Sequence, residues 1–271
     1  MKSLIQIQNK RLQKRKSGFL ICTIVILIAG CSRAPSSASK PAEHVPAPWS
    51  YDGENGTARW NKLDNEYATC GFGTTQSPVD ITNPEPQDLP GIVFHYQSSK
   101  LDVENTGHTI QVNLDEGSSI EVNGETYDLV QLQFHAPSEH RIRGKPADAE
   151  IHLIHRNASG QLAIIAVLLR VGMEDDALRL LWDNLPSVTG AHKTIEERIQ
   201  LERILPSNRR TFRYDGSLTY PPCSEIVTWL VMRDSMHISA KQLAGFSAMF
   251  GNNNRPVQPL NQRTVIQDTP K

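Results

Sequence analysis

Little in the 271-residue chain would draw it to nucleic acid. Its formal net charge is -1, and after the N-terminus no segment gathers the basic stripe that such binding requires. No apolar run reaches the ~20 residues that a membrane-spanning helix needs. From Trp49 onward there is no second linker, internal repeat or low-complexity tract, which excludes a repeat array. Cysteine is scarce. Of four, Cys22 and Cys31 lie near the N-terminus, which leaves Cys70 and Cys223 for the rest of the chain. In an oxidising compartment such a pair is most simply a disulfide, with two buried free thiols as the alternative. Closing so long a loop would stabilise the fold by ~4–5 kcal/mol if chain entropy governs.

What is present begins with a basic cluster, Lys10, Arg11, Lys14, Arg15 and Lys16. A short apolar run, Phe19 to Ala29, follows, and then Gly30-Cys31. A charged segment, a short apolar core and small residues at its end form an export signal over residues 1–31. A retained membrane anchor is the weaker alternative, because the run is too short to span. Ile28-Ala29-Gly30-Cys31 resembles the bacterial lipoprotein cleavage box, which would make Cys31 the lipid-bearing first residue of the mature chain; plain secretion is the other outcome. The expected location is the periplasmic side of a bacterial membrane, as a lipoprotein or in soluble form. Residues 32–48 are Ser, Ala and Pro with few large apolar groups, and read as a flexible tether.

Beyond residue 48, strand signals dominate. Ile92 to Tyr96 is rich in β-formers, while Leu101 to Asn105 and Ile110 to Leu114 alternate apolar with polar. Asn123-Gly124 between Ile120-Glu121-Val122 and Thr126 to Leu129 marks a hairpin. Ile151 to Arg156, Leu162 to Val171 and Ile226 to Met232 complete the strand set, the second being apolar enough for a centre buried on both faces. Helical patterns are confined to Glu174 to Leu185 and to Ser239 to Met249, the latter begun by a good capping serine. The expected fold class is mainly β (α+β): a single domain over residues 49–271 with peripheral helices.

Chemistry concentrates in two of these strands. Gln131, Gln133 and His135 stand two apart on one, and Glu150 and His152 on the next, so each set projects from a single face. Five polar side chains on strands that otherwise read as core need partners. A buried hydrogen-bonded network would supply them. So would a metal site, with imidazoles as ligands and amide and carboxylate groups steadying them.

The chain resembles the α-class carbonic anhydrases from Trp49 to about Thr264. The motifs that carry the resemblance are Gln76-Ser-Pro-Val-Asp-Ile81, Asn105-Thr-Gly-His108, the Phe134-to-His140 block, Glu150-Ile-His152-Leu-Ile-His155 and Gly216-Ser-Leu-Thr219-Tyr-Pro-Pro222. The resemblance implies a large, twisted, mostly antiparallel sheet with Zn2+ at the base of a conical pocket. It implies His135 and His152 as two zinc ligands, with Glu150 receiving a proton from the ring of His152. Thr219 matches the gatekeeper hydroxyl and Glu139 the carboxylate that takes its hydrogen. Leu218, Ile154, Ile164 and Trp229 match the apolar wall for carbon dioxide, and His108 matches the proton shuttle. Tyr220 stands where a threonine is common and would tighten the pocket mouth. Cys70 and Cys223 match the disulfide of bacterial members. His95, His140, His155, His192 and His237 carry no role in this reading.

One departure matters. The family has His-x-His where this chain has Gln133-Phe134-His135, so the first zinc ligand would be a carboxamide oxygen, a harder and weaker donor than imidazole nitrogen. Gln131, which in the family steadies that first ligand, would accept from the Gln133 amide and turn its oxygen to the metal. The implied activity is zinc-dependent reversible hydration of carbon dioxide to bicarbonate and a proton through zinc hydroxide, a lyase reaction attenuated by Gln133. An acatalytic binding module and a scaffold lipoprotein are the alternatives. Carbon dioxide and bicarbonate are the expected partners, with no nucleic acid, a membrane only through the N-terminal lipid, and a homodimer as an open option beside the monomer.

Overall fold

The computed structural model describes residues 44–174 and 176–269. The export signal, Cys31 and most of the tether lie outside the described residues. The chain divides after Val45, and among the described residues every strand and helix lies in the unit that begins at Pro46. The stretch read as a tether ends early. The Ala47 amide donates to Asp64 at 3.0 Å and the Ala47 carbonyl accepts from the Tyr67 hydroxyl at 2.8 Å, so packing starts two residues before Trp49. No helix among the described residues is long and apolar enough to cross a membrane.

Among the described residues, one sheet of 13 strands dominates. Its path runs from edge to edge through His192–Gln200, Ser98–Asn105, Ile110–Leu114, Glu125–His135, Ala149–Arg156, Leu162–Val171, Val227–Met232, Thr211–Gly216, Ile266–Asp268 and Glu85–Gln87. Most neighbours are antiparallel, and parallel pairing joins Leu162–Val171 to Val227–Met232 and to Met236–Ile238, and Ile266–Asp268 to Glu85–Gln87. The alternation expected along Ser98–Asn105 is present, with Leu101 and Val103 fully buried between half-buried polar neighbours. Asn123 and Gly124 take φ of 52° and 81°, the positive values that a two-residue hairpin turn demands and that asparagine and glycine tolerate. Leu162–Val171 is central and buried through Leu169, as its composition requires.

The helix expected over Glu174 to Leu185 is shorter, Asp176–Trp182. Pro186 disfavours helical backbone at Leu185, so the helix cannot extend to that residue. The second helix, Ala240–Phe250, opens with a full capping box in which Ser239 and Gln242 satisfy each other's backbone amides. The edge strand His192–Gln200 had no expectation. It buries only Ile195 and Ile199, four residues apart around a register shift, so it never shows a period of two.

The sheet separates two environments. Leu132, Phe134, Ile151, Leu153, Ile165 and Val167 join the main apolar core. The intervening residues of the same strands face the other way, and there the polar set collects.

Candidate metal centre

Register fixes the site. In the antiparallel pairing of Glu125–His135 with Ala149–Arg156, Gln133 lies opposite His152 and His135 opposite Glu150. Directly opposed residues share a face, so the four side chains form a compact square on the side away from the apolar core. The rings of His135 and His152 are 4.6 Å apart, and ligand atoms of His135, Glu139 and His152 lie within 4.8 Å of one another. Gln133, His135, His152, Glu139 and Glu150 are all buried.

Hydrogen bonding fixes which nitrogen of each imidazole carries its proton. His135 Nδ1 lies 2.8 Å from the Asn253 carbonyl, which can only accept. The proton therefore sits on Nδ1, and Nε2 is left as a buried lone pair with no partner. His152 Nε2 donates to Glu150 Oε1 at 2.8 Å, which leaves the lone pair on Nδ1. Burial lowers the pKa of both rings, against the raising influence of the Asn253 carbonyl on His135 and of Glu150 on His152. Two neutral imidazoles, each held in the tautomer that offers one lone pair to an enclosed space, are the donor set that a divalent zinc ion takes. The residues present fit the ion.

Around them runs a buried network. Glu150 Oε2 accepts the backbone amides of Glu139 and His140, at 2.9 and 2.8 Å, and Oε1 accepts His140 Nδ1 at 2.6 Å. Burial alone would raise the pKa of Glu150, but His140 and His152 overcome it and hold the carboxyl well below the usual range. His140 Nε2 continues to the Tyr214 hydroxyl at 2.6 Å, and Tyr214 donates to Ser77 at 3.2 Å. Ser77 in turn accepts the Ser217 amide at 3.1 Å, next to Leu218 and Thr219. Gly216 permits that closeness, because a Cβ there would stand 2.1 Å from Ser77 Oγ. His140, given no role from sequence, is thus the link between the ligand strand and the Thr219 loop. Asn253 was missed as well: its carbonyl takes His135, and its side chain holds the Ala136 amide and the carbonyls of His108 and Phe134. Nothing in the polar run Gly251 to Asn254 singles it out.

Glu139 Oε1 accepts the Arg255 amide at 2.8 Å. Burial pushes the Glu139 carboxyl up to about 7, with Glu150 adding to the rise, while His152, the Arg255 amide and the Thr219 side chain work against it. Ile154, Ile164 and Trp229 form one row across three strands, since Ile154 pairs with Ile164 and Ile164 with Trp229. With Leu218 they are buried, and they present apolar surface on the same face as the histidines. Gln131 opens this row opposite Ile154.

The carboxamides of Gln131 and Gln133 share no hydrogen bond among the described residues. Burial raises the Tyr220 phenol to about 12, against a lowering influence of the Gln133 side chain. The Tyr220 ring also lies parallel to Trp49, with centroids 6.3 Å apart and planes at 10°. The other stacking partner of Trp49 is His108, 3.9 Å away at 11°. His108 is half-buried, and burial lowers its pKa. Gly107, at φ 82°, makes the turn that presents it.

Cys70 and Cys223 form a disulfide that closes 153 residues. Arg255 binds it to the site, since its guanidinium donates to the Cys70 carbonyl, Gln76 and the Ser77 carbonyl, and Gln76 donates to the Cys223 carbonyl.

A wide β-sheet thus presents two tautomer-locked imidazoles, with a carboxylate network behind them and an apolar row beside them, in an arrangement that could hold a metal ion. The family model for eukaryotic-type carbonic anhydrase matches residues 55–269. A carbonic anhydrase of Nostoc sp. is 40% identical over 238 residues, covering 86% of this chain and 90% of the relative. A carbonic anhydrase of Neisseria gonorrhoeae is 40% identical over 247 residues, 90% of this chain and 96% of that one. Among solved structures, the α-carbonic anhydrase of Thermovibrio ammonificans in complex with the inhibitor sulfanilamide superposes with a TM-score of 0.80 at 39% identity, covering 81% of this chain and 99% of that chain. The chain belongs to the α-type carbonic anhydrase family, whose members are zinc lyases that act on carbon dioxide and bicarbonate.

Proposed function

We propose that the protein hydrates carbon dioxide reversibly at a zinc ion held by Gln133 Oε1, His135 Nε2 and His152 Nδ1. The observation that carries this reading is the pair of imidazole lone pairs, one of them buried without any partner, that converge opposite Gln133. When bound, zinc supplies Lewis acidity, which makes water a usable nucleophile near neutral pH.

The chain's own residues do the rest. Glu150 and the Asn253 carbonyl keep the two rings in the metal-binding tautomer. Glu139 Oε2, buried and without a partner, is the acceptor to which Thr219 would give its hydroxyl hydrogen; the Thr219 oxygen could then only accept, turning the hydrogen of the attacking water away from the substrate. Ile154, Ile164, Leu218 and Trp229 offer carbon dioxide a dry wall with no competing donor. After attack, a proton must leave. His108, stacked on Trp49, takes it on its ring and releases it to buffer. The Gln133 oxygen is neutral, like imidazole, so the formal charge of the site is unchanged, but weaker donation lowers zinc affinity and attenuates the rate.

Stopped-flow hydration of carbon dioxide by the full-length protein, before and after stoichiometric zinc, tests this reading. Zinc-dependent turnover blocked by sulfanilamide is expected. Protein that stays inert with zinc in excess would leave an acatalytic binding module or a scaffold. For location, the basic cluster, apolar run and Cys31 support an exported protein anchored on the periplasmic side of a bacterial membrane. Mass spectrometry of the mature N-terminus should find acylated Cys31, and an unmodified cysteine there would mean plain secretion.

A further inference from the structure

The polar face of the sheet does not stop at the metal centre. Register carries it outward in two rows. Beside Gln133 stand Gln111, then Glu104, then His192; beside Gln131 stand Asn113, then Asp102, then Thr194. Directly opposed residues share a face, so these six lie on the side of His135 and His152, while Leu101, Val103 and Val112 go to the apolar core. In the other direction the row is apolar, through Ile154, Ile164 and Trp229. The polar rows become titratable only at their outer end, and there the groups are linked. Gln111 Nε2 donates to Asn113 Oδ1 at 3.0 Å, and Asn113 Nδ2 to Asp102 Oδ2 at 3.3 Å. His192 then stands between two carboxylates, with Nδ1 4.0 Å from Asp102 Oδ1 and Nε2 3.6 Å from Glu104 Oε1. Lys100, two positions along from Asp102, is engaged by Glu196. An imidazole with a carboxylate at each nitrogen can take a proton on one side and release one from the other.

This set sits at the foot of the turn that presents His108. Asn105, next to Glu104, accepts the Gly107 amide on its side chain at 2.9 Å and the Gly190 amide on its backbone at 2.7 Å, and its own amide donates to Ala191, next to His192. The Thr106 amide closes the turn on the Thr109 carbonyl at 3.0 Å. Four residues span at most about 14 Å when fully extended, and the turn folds Glu104 and His108 closer than that. His108 is half-buried against Trp49, whereas His192 is exposed. We propose that Glu104 and His192, with Asp102 on the far nitrogen of the ring, form a second station of proton exit: the proton that His108 takes up passes through water to the Glu104 carboxylate, then to His192, and from its ring to solvent. One proton moves at each step and no other bond changes, so His108 is returned to its neutral form. The inference rests on the hydration reading above and adds to it the route by which the proton leaves.

The test is carbon dioxide hydration by the zinc-loaded full chain in weak and in strong buffer, comparing wild type with the double variant Glu104→Gln, His192→Asn. Proton exit follows the attack on carbon dioxide, so it enters kcat and not kcat/KM. In weak buffer the variant should lose about threefold or more in kcat while kcat/KM stays within about 1.5-fold of wild type. Strong buffer, which takes the proton from His108 directly, should restore kcat. In a His108→Ala background the same pair of substitutions should cost less than about 1.5-fold, because the station acts only after His108. Zinc affinity, read by chelator competition, should stay within about twofold of wild type, since neither residue supports a ligand. A parallel fall of kcat and kcat/KM, a loss that strong buffer does not restore, an equal loss with and without His108, a larger drop in zinc affinity, or no loss at all overturns the inference and leaves the hydration reading intact. Wild-type protein without zinc-dependent turnover overturns both.

Discussion

The two faces of the strand pair Glu125–His135 and Ala149–Arg156 obey different rules. On one, Leu132, Phe134, Ile151 and Leu153 sit in the core, and each contributes through the area it removes from water and the space it fills. On the other, Gln131, Gln133, His135, Glu150 and His152 are just as buried, yet apolar area counts for little there. What matters is which atom donates to which. Glu150 alone accepts from His152, His140 and two backbone amides. The lesson is that a one-residue step along a strand moves from tolerance of shape-conserving change to dependence on single atoms.

Substitutions that separate affinity for metal from stability put this contrast to the test. The largest effect is expected from His152→Ala, which removes an imidazole ligand. Chelator competition should show zinc affinity reduced by well over the roughly 100-fold that marks the upper end for a supporting partner. Leu153→Ala, one position along on the other face, should cost about 2–5 kcal/mol in denaturant unfolding while zinc affinity stays within about twofold. If both variants lose stability and affinity in parallel, the division between the faces is wrong.

A third prediction concerns acid. His155 lies fully buried, with its Nδ1 on the Ala163 carbonyl and its Nε2 accepting from Tyr96. Burial lowers its pKa to about 3, against an ordinary value of 6.5. As pH falls below 6.5 the unfolded chain takes a proton that the folded chain refuses, so stability is full above that point and drains away down to about 3. His155→Gln, which removes the titrating ring, should flatten this limb by a few kcal/mol between pH 6.5 and 3 in denaturant titrations. An unchanged slope would mean that His155 is protonated in the fold.

Smaller still, Gln133→His should raise zinc affinity and carbon dioxide hydration by about tenfold or more, the reverse of a degraded ligand's penalty. No gain at full zinc occupancy would show that the carboxamide is not what limits the rate. Ser239→Ala should lower stability by about 1 kcal/mol through loss of the cap on Ala240–Phe250, with no change at the metal centre.

Much of this was legible in sequence because it follows from period. Alternation placed the strands and told the polar face from the apolar one, and the Phe134-to-His140 and Glu150-to-His155 blocks, through their resemblance to the family, carried the proposed ligand positions. What stayed hidden has a common physical cause. His140, Asn253 and Tyr214 act across long sequence separations, and the His192–Gln200 edge strand buries too few residues to show a period. The expected bond between Gln131 and Gln133 assumed that strand neighbours would satisfy each other. That bond is not present among the described residues.

The account's central claim is that a carboxamide and two imidazoles hold one zinc ion. Zinc K-edge X-ray absorption on full-length protein loaded with a single equivalent tests it directly. The account predicts two imidazole shells and oxygen scatterers at about 2.0–2.1 Å in a four-coordinate site. A spectrum with three imidazoles, or zinc that washes off as the six-coordinate aquo ion, would contradict it.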